Sequence, residues 1–209
     1  MGNAQFVALE GPKGAGKTAL CAALAAHLSP HVRGQVIITK EPTPAFDLQS
    51  EQNLRGADLA RAIAADRETH VSAVIAPALA QGIPVVCDRY VLSSYVFHAG
   101  DGVSASIITE LNQPFPKPSL NLILEVSPKT IAARRAKRGN ATRLQSTDSA
   151  VEFSQYIHYA KLMESLGAAY KVCDNSNLEA QQAIVTWLIE LLRAEIGNRD
   201  EHRPTGYRH

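Results

Sequence analysis

The chain has 209 residues, 45% of them hydrophobic, and a formal net charge of +1. This size and apolar content favour one globular domain with a sizeable core and exclude a disordered chain. The near-neutral charge gives no reason to expect binding to nucleic acid or to a membrane surface. The three cysteines lie far apart in sequence, which argues against a zinc site or a disulfide framework. With neither a leader segment nor an apolar run long enough to cross a bilayer, the expected location is cytoplasmic.

Short apolar runs alternate with alanine- and leucine-rich stretches along the chain. The apolar runs predict five strands, at Phe6–Leu9, Val36–Thr39, Pro84–Asp88, Leu120–Val126 and Tyr170–Cys173. The other stretches predict helices at Ala19–Leu28, Ala57–Gln81, about Ser104–Leu111, Thr130–Lys137, Val151–Leu166 and Leu178–Ile196. Continuous apolar strands separated by helices indicate an α/β fold whose parallel sheet is covered on both faces. We expect one domain over residues 1–196 and a frayed tail over residues 197–209.

The loop after the first strand carries the most specific motif. Residues 11–18 read Gly-Pro-Lys-Gly-Ala-Gly-Lys-Thr and match the P-loop pattern G-x-x-x-x-G-K-[ST], with a strand before and a helix after it. In such a loop, backbone N–H groups and the helix N-terminus hold phosphate oxygens, while the final hydroxyl holds Mg²⁺. The motif predicts a nucleoside triphosphate site in a P-loop NTPase fold with three α/β/α layers. The expected donor-site residues are Gly11, Lys13, Gly14, Ala15, Gly16, Lys17 and Thr18.

Polar residues at the ends of the other strands should lie near this loop, because ligands of parallel sheets bind at the carboxyl ends of the strands. Asp88 ends the third strand and predicts a second group that acts on Mg²⁺; a turn or helix cap is the alternative for this residue alone. The neighbouring Arg89 predicts a clamp on a second phosphate group, since a guanidinium binds phosphate in a bidentate manner.

A basic run follows the fourth strand. The segment from Arg134 to Arg143 contains four arginines, one lysine and no acidic residue. A solvated helix face is the common explanation for such a run. Beside a P-loop, the run also fits a lid that closes cations over a transferring phosphoryl group. We therefore predict a short basic lid at about residues 134–148. The expected catalytic residues are Lys17, Arg89, Arg134, Arg138 and Arg143.

Together these segments resemble the thymidylate kinases, a family of P-loop nucleoside monophosphate kinases. The resemblance runs from Phe6 to about Trp187. Besides the P-loop, it rests on Thr39-Lys40-Glu41-Pro42, Ala64-Ala65-Asp66-Arg67 with His70, residues 75–82, Asp88-Arg89-Tyr90 with Ser93-Ser94, and Pro116-Lys117-Pro118. It implies transfer of the γ-phosphate of ATP, with Mg²⁺, to a pyrimidine nucleoside monophosphate such as dTMP. It also implies a homodimer.

The resemblance assigns expected roles to individual residues. Arg67 and Arg89 match arginines that hold the acceptor nucleotide. Phe97 matches an aromatic residue beside its sugar and base, and Ser94 matches a polar residue that faces the base edge. The expected acceptor-site residues are Glu41, Ile63, Arg67, Arg89, Ser94, Phe97 and His98. Asn175 and Asn177 are expected near the adenine of ATP, and Thr18 with Asp88 near Mg²⁺.

Departures from the family pattern cluster on the acceptor side. The family usually has an aromatic residue at the position of Ile63, where it stacks on thymine, and an acid at the position of Lys13, near the acceptor sugar. His98 stands where bacterial members often have glutamine. A lysine reverses the local charge and cannot accept a hydrogen bond from a sugar hydroxyl. Two acceptors therefore stay open: dTMP itself, or a related, modified pyrimidine nucleotide.

Two other classes of function also stay open on the sequence alone. One is a P-loop kinase of a non-nucleotide small molecule, since the fold does not choose the acceptor. The other is a non-enzymatic ATP-binding switch, which would need a protein partner but no arginine lid. The basic run and Arg89 favour an enzyme. The Ala-Ala-Asp-Arg and Asp-Arg-Tyr segments favour a nucleotide acceptor.

Overall fold

Five parallel strands form one sheet, with the strand order β2-β3-β1-β4-β5. The computed structural model describes residues 5–28, 36–47, 49–138 and 148–200. The strands are β1 (Phe6–Glu10), β2 (Ile37–Lys40), β3 (Val85–Asp88), β4 (Leu120–Glu125) and β5 (Ala169–Asp174). All five overlap the predicted strands. The α/β fold class and the five-stranded parallel sheet are therefore confirmed.

Helices connect the strands and cover the sheet. They are α1 (Lys17–His27), α2 (Ser50–Asn53), α3 (Gly56–His70), α4 (Ala76–Ala80), α5 (Val91–Gly100), α6 (Ala105–Asn112), α7 (Pro128–Arg138), α8 (Ser149–Ser165) and α9 (Leu178–Asp200). A π-helical turn, Val71–Ile75, joins α3 to α4. Within the described ranges, no helix combines the length and apolar character needed to cross a membrane.

Two apolar layers lie on opposite faces of the sheet. Along β1, Phe6 and Ala8 face one layer, and Val7 and Leu9 face the other. Helices α3, α5, α6 and α8 contribute to the first layer, and α1, α7 and α9 to the second. Because both faces of β1 are covered, this strand is apolar at successive positions rather than at alternate ones. The three-layer arrangement follows.

The edge strand β5 differs from the sequence-based expectation. Four of its six residues are exposed, so the prediction that all five strands are covered on both faces is wrong for this strand. An edge strand has a neighbour on one side only, and among the described strands β5 pairs with β4 alone. Its side chains therefore remain more accessible than those of central strands.

Most predicted helices are confirmed to within a few residues, but α2 and α5 were not predicted. The sequence of α5, Val-Leu-Ser-Ser-Tyr-Val-Phe-His-Ala-Gly, contains β-branched, aromatic and serine residues that are poor helix formers. Tertiary packing overrides that preference, since Leu92 and most other residues of α5 are buried. The final helix continues to Asp200, beyond the predicted end at Ile196.

Candidate functional site

The carboxyl ends of β1 and β3 place two polar turns side by side. In the sheet register, Leu9 pairs with Asp88. The backbone N–H of Arg89 donates to the Leu9 carbonyl oxygen at 2.9 Å, and that of Glu41 donates to the Asp88 carbonyl oxygen at 3.0 Å. A cavity of about 410 Å³ opens above this edge of the sheet. Its size is within the range of small-molecule sites.

Most of the predicted site residues line this one cavity. They are Lys13, Gly14, Gly16, Lys17, Thr18, Glu41, Ile63, Arg67, Asp88, Arg89, Ser94, Phe97 and His98. The predicted residues Gly11, Ala15, Arg134, Asn175 and Asn177 are described but do not line it. Arg143 and the side chain of Arg138 lie outside the described residues.

The P-loop is packed so closely that two of its glycines leave no room for a side chain. At Gly11, with φ 128°, a Cβ atom would lie 2.8 Å from the Leu124 carbonyl oxygen. At Gly16, with φ 99°, a Cβ atom would lie 2.5 Å from Nδ2 of Asn175. Both φ values are in the region that favours glycine. Glycine is therefore required at these positions both by the backbone conformation and by the close packing.

Lys17 is buried at the start of α1. Its Nζ donates to the carbonyl oxygens of Gly11 at 2.7 Å and Pro12 at 3.0 Å. Burial, followed by the charge of Arg89, lowers the pKa of Lys17 to about 7, and the charge of Asp88 opposes this shift. A phosphate group in the loop would bring negative charge to this ammonium group and favour its charged form.

Thr18, the last residue of the P-loop, brings its hydroxyl group next to the Asp88 carboxylate. The Thr18 hydroxyl donates to Oδ2 of Asp88 at 2.7 Å, and the Asp88 side chain is buried. Hydroxyl and carboxylate oxygens are the ligands that Mg²⁺ prefers. The pair therefore fits a magnesium ion carried by a nucleotide in the P-loop.

Arg89 has an unusual backbone and a well-fixed side chain. Its φ of 72° is in the left-handed region, which is rare for residues other than glycine. Its Nη1 donates to the hydroxyl of Ser93 at 3.0 Å and to that of Tyr156 at 2.7 Å. The guanidinium also lies 4.9 Å from the ring centroid of Phe97. Tyr156 lies on α8 and does not belong to any recognisable sequence motif.

Glu10 is a fully buried acid at the end of β1 that the site prediction missed. It accepts hydrogen bonds from the backbone N–H groups of Tyr90, at 2.9 Å, and Ser93, at 3.3 Å, and from the Ser93 hydroxyl at 2.5 Å. Burial raises the pKa of Glu10 to about 7, although the Ser93 hydrogen bond and the charge of Arg89 lower it. The sequence did offer a signal for this residue, which is an acid at the end of an apolar strand, directly before the P-loop.

A second buried acid, Glu41, holds Arg67 at the floor of the cavity. The Nε of Arg67 lies 2.7 Å from Oε2 of Glu41, and both side chains are about 97% buried. The other carboxylate oxygen, Oε1, is 3.0 Å from Nδ1 of His70. Arg67 also donates through Nη1 to Ser94, at 3.1 Å, and to Asn112. The list of expected acceptor-site residues therefore contained three members of this hydrogen-bond network, Glu41, Arg67 and Ser94, and missed His70 and Asn112.

Arg134 contacts the P-loop without lining the cavity. Its Nη1 donates to the carbonyl oxygens of Gly14 and Ala15, at 3.2 and 3.4 Å. Its Nη2 donates to those of Asn175 and Ser176, at 3.3 and 3.4 Å. Asn175 adds a hydrogen bond from Nδ2 to the Ala15 carbonyl oxygen at 2.7 Å. These contacts join the P-loop to the loop after β5. In that loop Asn177 caps α9 by accepting from the Ala180 N–H at 2.9 Å.

The backbone of Lys13 is held from both sides. Its N–H donates to Oε1 of Glu152 at 3.3 Å, and its carbonyl oxygen accepts from Nε of Arg135 at 2.8 Å. Arg135 and Glu152 pair with each other at 2.7 Å. Glu152 is buried on α8 and was not among the predicted residues. Helices α7 and α8 therefore both contact the donor loop.

Comparison with known proteins points to one family. Residues 9–184 match the sequence profile described as thymidylate kinase. The thymidylate kinase of Xanthomonas campestris pv. campestris is 31% identical to this chain, over 95% of this chain and 90% of that protein. That of Pseudomonas putida is 34% identical over 88% and 94% of the two chains. A probable thymidylate kinase of Pyrobaculum aerophilum is 32% identical over 82% and 88%.

A solved structure supports the fold. The thymidylate kinase of Ehrlichia chaffeensis superposes on 91% of this chain and 100% of its own, with a TM-score of 0.65 and 22% sequence identity. At that identity, the similarity is evidence for the fold alone. It agrees with the P-loop NTPase architecture expected from the sequence.

The buried pair Glu41–Arg67 gives a prediction about stability. Glu41→Gln keeps the shape of the side chain but leaves the charge of Arg67 buried without its partner, and we expect a loss of about 3–5 kcal/mol in the free energy of unfolding. Asp58→Asn is the matched control, because Asp58 pairs with Arg61 at the surface, with 75% of the Asp58 side chain and 61% of the Arg61 side chain exposed. It should cost less than about 1 kcal/mol. Urea denaturation measures both, and equal losses would contradict the prediction.

The raised pKa of Glu10 gives a prediction about pH. Between pH 4.5 and about 7, folded protein keeps a proton on Glu10 that unfolded protein releases. The wild-type chain should therefore lose stability relative to Glu10→Gln as the pH rises through this window, by an amount on the order of a few kcal/mol, and the difference should be constant above it. Urea midpoints of both proteins from pH 5 to 8 test this. A difference that stays constant, or that grows in the opposite direction, contradicts the prediction.

Proposed function

This chain belongs to the thymidylate kinase family, and we propose that it transfers the γ-phosphate of ATP to a pyrimidine deoxynucleoside monophosphate, with dTMP as the first candidate. It is an ATP-dependent nucleoside monophosphate kinase that works with Mg²⁺, as other members of the family do. The observation that carries the proposal is one cavity that joins a P-loop to two arginines, the buried Arg67 and the partly buried Arg89.

The donor half of the proposed site is the P-loop with the start of α1. Backbone N–H groups of residues 13–18 would hold the phosphates, and Lys17 would exchange its carbonyl partners for phosphate oxygens. Thr18 and Asp88 would hold Mg²⁺, which, when bound, neutralises charge between the β- and γ-phosphates. Because Arg134 joins the P-loop to Asn175 and Ser176, we place the adenine beside that junction.

The acceptor half lies across the same cavity. Arg89 would hold the acceptor phosphate close to the γ-phosphate, since phosphoryl transfer depends on in-line positioning and on positive charge near the equatorial oxygens. Arg67, with its orientation fixed by Glu41, and Ser94 would contact the base edge. Phe97 would pack beside the sugar and base. Arg138 and Arg143 stay predictions as lid residues.

A specific observation favours a second candidate, a modified pyrimidine nucleotide. Lys13 and Ile63 both line the cavity, and these are the positions where the family usually has an acid and an aromatic residue. Without the acid, the loop offers no carboxylate to a sugar hydroxyl at this position. Without the ring, a base can pack on Ile63 but cannot stack.

Two further properties of the chain stay proposals. We propose that the chain forms a homodimer and that it is cytoplasmic. Neither property enters the chemistry proposed for the cavity.

The proposed function is tested with ATP and Mg²⁺ against a panel of nucleoside monophosphates that includes dTMP, dUMP, dCMP and C5-substituted analogues. We expect transfer to a pyrimidine deoxynucleotide, and we expect Lys17→Ala to reduce the rate by about 10²–10³-fold because a cation at the transferred phosphate is lost. Lys161→Ala on the exposed face of α8 is the control. Preference for dTMP supports the first candidate and preference for an analogue supports the second. No transfer to any monophosphate would contradict the kinase proposal.

Ile63→Phe tests whether the missing ring weakens the binding of dTMP. Ile63 is half-buried and lines the cavity, so a larger ring can extend into it. An aromatic contact contributes about 0.5–1.5 kcal/mol beyond burial, and the KM for dTMP should therefore fall by about 2- to 10-fold. Ile63→Leu, which adds no ring, should leave the KM close to that of the wild type. An unchanged or higher KM for Ile63→Phe would show that the base does not stack at this position.

A further inference from the structure

We propose that Tyr156 positions Arg89 for catalysis through a hydrogen-bond relay that continues over Ser93 to Glu10. Tyr156 and Glu10 both lie outside the site predicted from the family resemblance. The inference rests on the proposed function, in which Arg89 holds the acceptor phosphate.

The relay consists of four side chains in unbroken contact. Nη1 of Arg89 is 2.7 Å from the Tyr156 hydroxyl, which is 3.1 Å from the Ser93 hydroxyl. The Ser93 hydroxyl is in turn 2.5 Å from Oε2 of Glu10. Tyr156 and Glu10 are fully buried, and Ser93 is 5% exposed. Water is therefore excluded from most of the relay, and each group depends on its protein partners.

Chemistry assigns a direction to these hydrogen bonds. A guanidinium can only donate, so the Tyr156 oxygen accepts from Arg89 and its own proton is available to Ser93. Burial raises the pKa of Tyr156, and the hydroxyl therefore keeps that proton. Above about pH 7, where Glu10 is ionised, Ser93 can then donate to Oε2 of the Glu10 carboxylate, whose other oxygen accepts from the N–H groups of Tyr90 and Ser93. Every donor in the relay has an acceptor.

The relay uses one corner of the guanidinium and leaves the opposite edge for a ligand. Among the described residues, the hydrogen bonds of the Arg89 side chain all run through Nη1. Nε and Nη2 together form the edge that binds two phosphate oxygens in a bidentate manner. Holding Nη1 fixes the plane of the group and removes rotamers that the long side chain would otherwise sample. Tyr156 therefore acts on the orientation of Arg89.

The helix that carries Tyr156 also contacts the donor loop. Glu152 lies four residues before Tyr156, on the same face of α8, and holds the Lys13 N–H and the Arg135 guanidinium. One helix face is therefore in contact with the phosphate-binding loop and with the arginine across the cavity. The position of α8 sets the distance between these two parts of the site.

Tyr156→Phe removes only the hydroxyl group. With dTMP as acceptor and ATP with Mg²⁺ as donor, we expect kcat/KM for dTMP to fall about tenfold or more, the loss typical of one hydrogen bond to a charged group. The KM for ATP should stay unchanged, because the P-loop contacts are intact. Tyr159→Phe is the matched control, since Tyr159 lies on the same helix and its ring stacks on Tyr95. Tyr159→Phe should match the wild type in the KM for dTMP and in the KM for ATP.

Ser93→Ala removes the next member of the relay and should have the same effect as Tyr156→Phe. The kcat/KM for dTMP should fall while the KM for ATP stays unchanged. In the double variant the loss should not exceed that of the larger single variant, because both changes interrupt one chain of contacts. Three results would overturn the relay. They are additive losses of kcat/KM in the double variant, an equal rise of the KM for dTMP and the KM for ATP, and a Tyr156→Phe variant that behaves like Tyr159→Phe. A wild-type chain that transfers phosphate to no monophosphate would instead contradict the proposed function.

Discussion

The parallel pairing of β1 with β3 is the constraint on which the rest of the site depends. Because Leu9 lies opposite Asp88, the P-loop that follows β1 and the Asp88-Arg89-Tyr90 turn that follows β3 begin at the same level of the sheet. The hydrogen bond from the Arg89 N–H to Leu9 extends that pairing by one residue. A shift of one residue would turn the Asp88 side chain to the other face of the sheet, away from Thr18. Donor and acceptor groups therefore meet because of strand register.

This edge of the sheet concentrates buried charge, and each charge is matched by neighbouring groups. Glu10 receives three hydrogen bonds, and Glu41 lies between Arg67 and His70. The raised pKa of Glu10 and the lowered pKa of Lys17 have the same first cause, which is burial. Burial destabilises the ionised forms of both residues. The phosphates of ATP would add negative charge beside the Lys17 ammonium group, so phosphate binding and the charged form of this lysine would favour each other.

Features encoded locally could be predicted from the sequence, and features created by distant contacts could not. The P-loop was predictable because its glycines, Lys17 and Thr18 lie at fixed spacing within eight residues of chain, and because Gly11, Gly14 and Gly16 have positive φ angles that favour glycine. Tyr156 and Glu152 were missed because they reach the site across 67 and 139 residues of sequence and belong to no motif. Arg134 belonged to a recognisable basic run, but composition could not show that it contacts backbone carbonyl groups. Helix α5 was missed because its residues fit a strand as well as a helix.

The position of Lys13 shows how the acceptor side can vary while the donor loop is kept. Glu152 and Arg135 hold the N–H and carbonyl groups of this residue, and neither contact involves its side chain. The path of the loop is therefore fixed independently of whether an acid or a lysine stands there. A change from an acid to lysine alters the charge that faces the cavity and leaves the P-loop glycines, Lys17 and Thr18 in place. Under the proposed function, acceptor preference can therefore change at position 13 while these two backbone contacts are kept, because neither of them involves the Lys13 side chain.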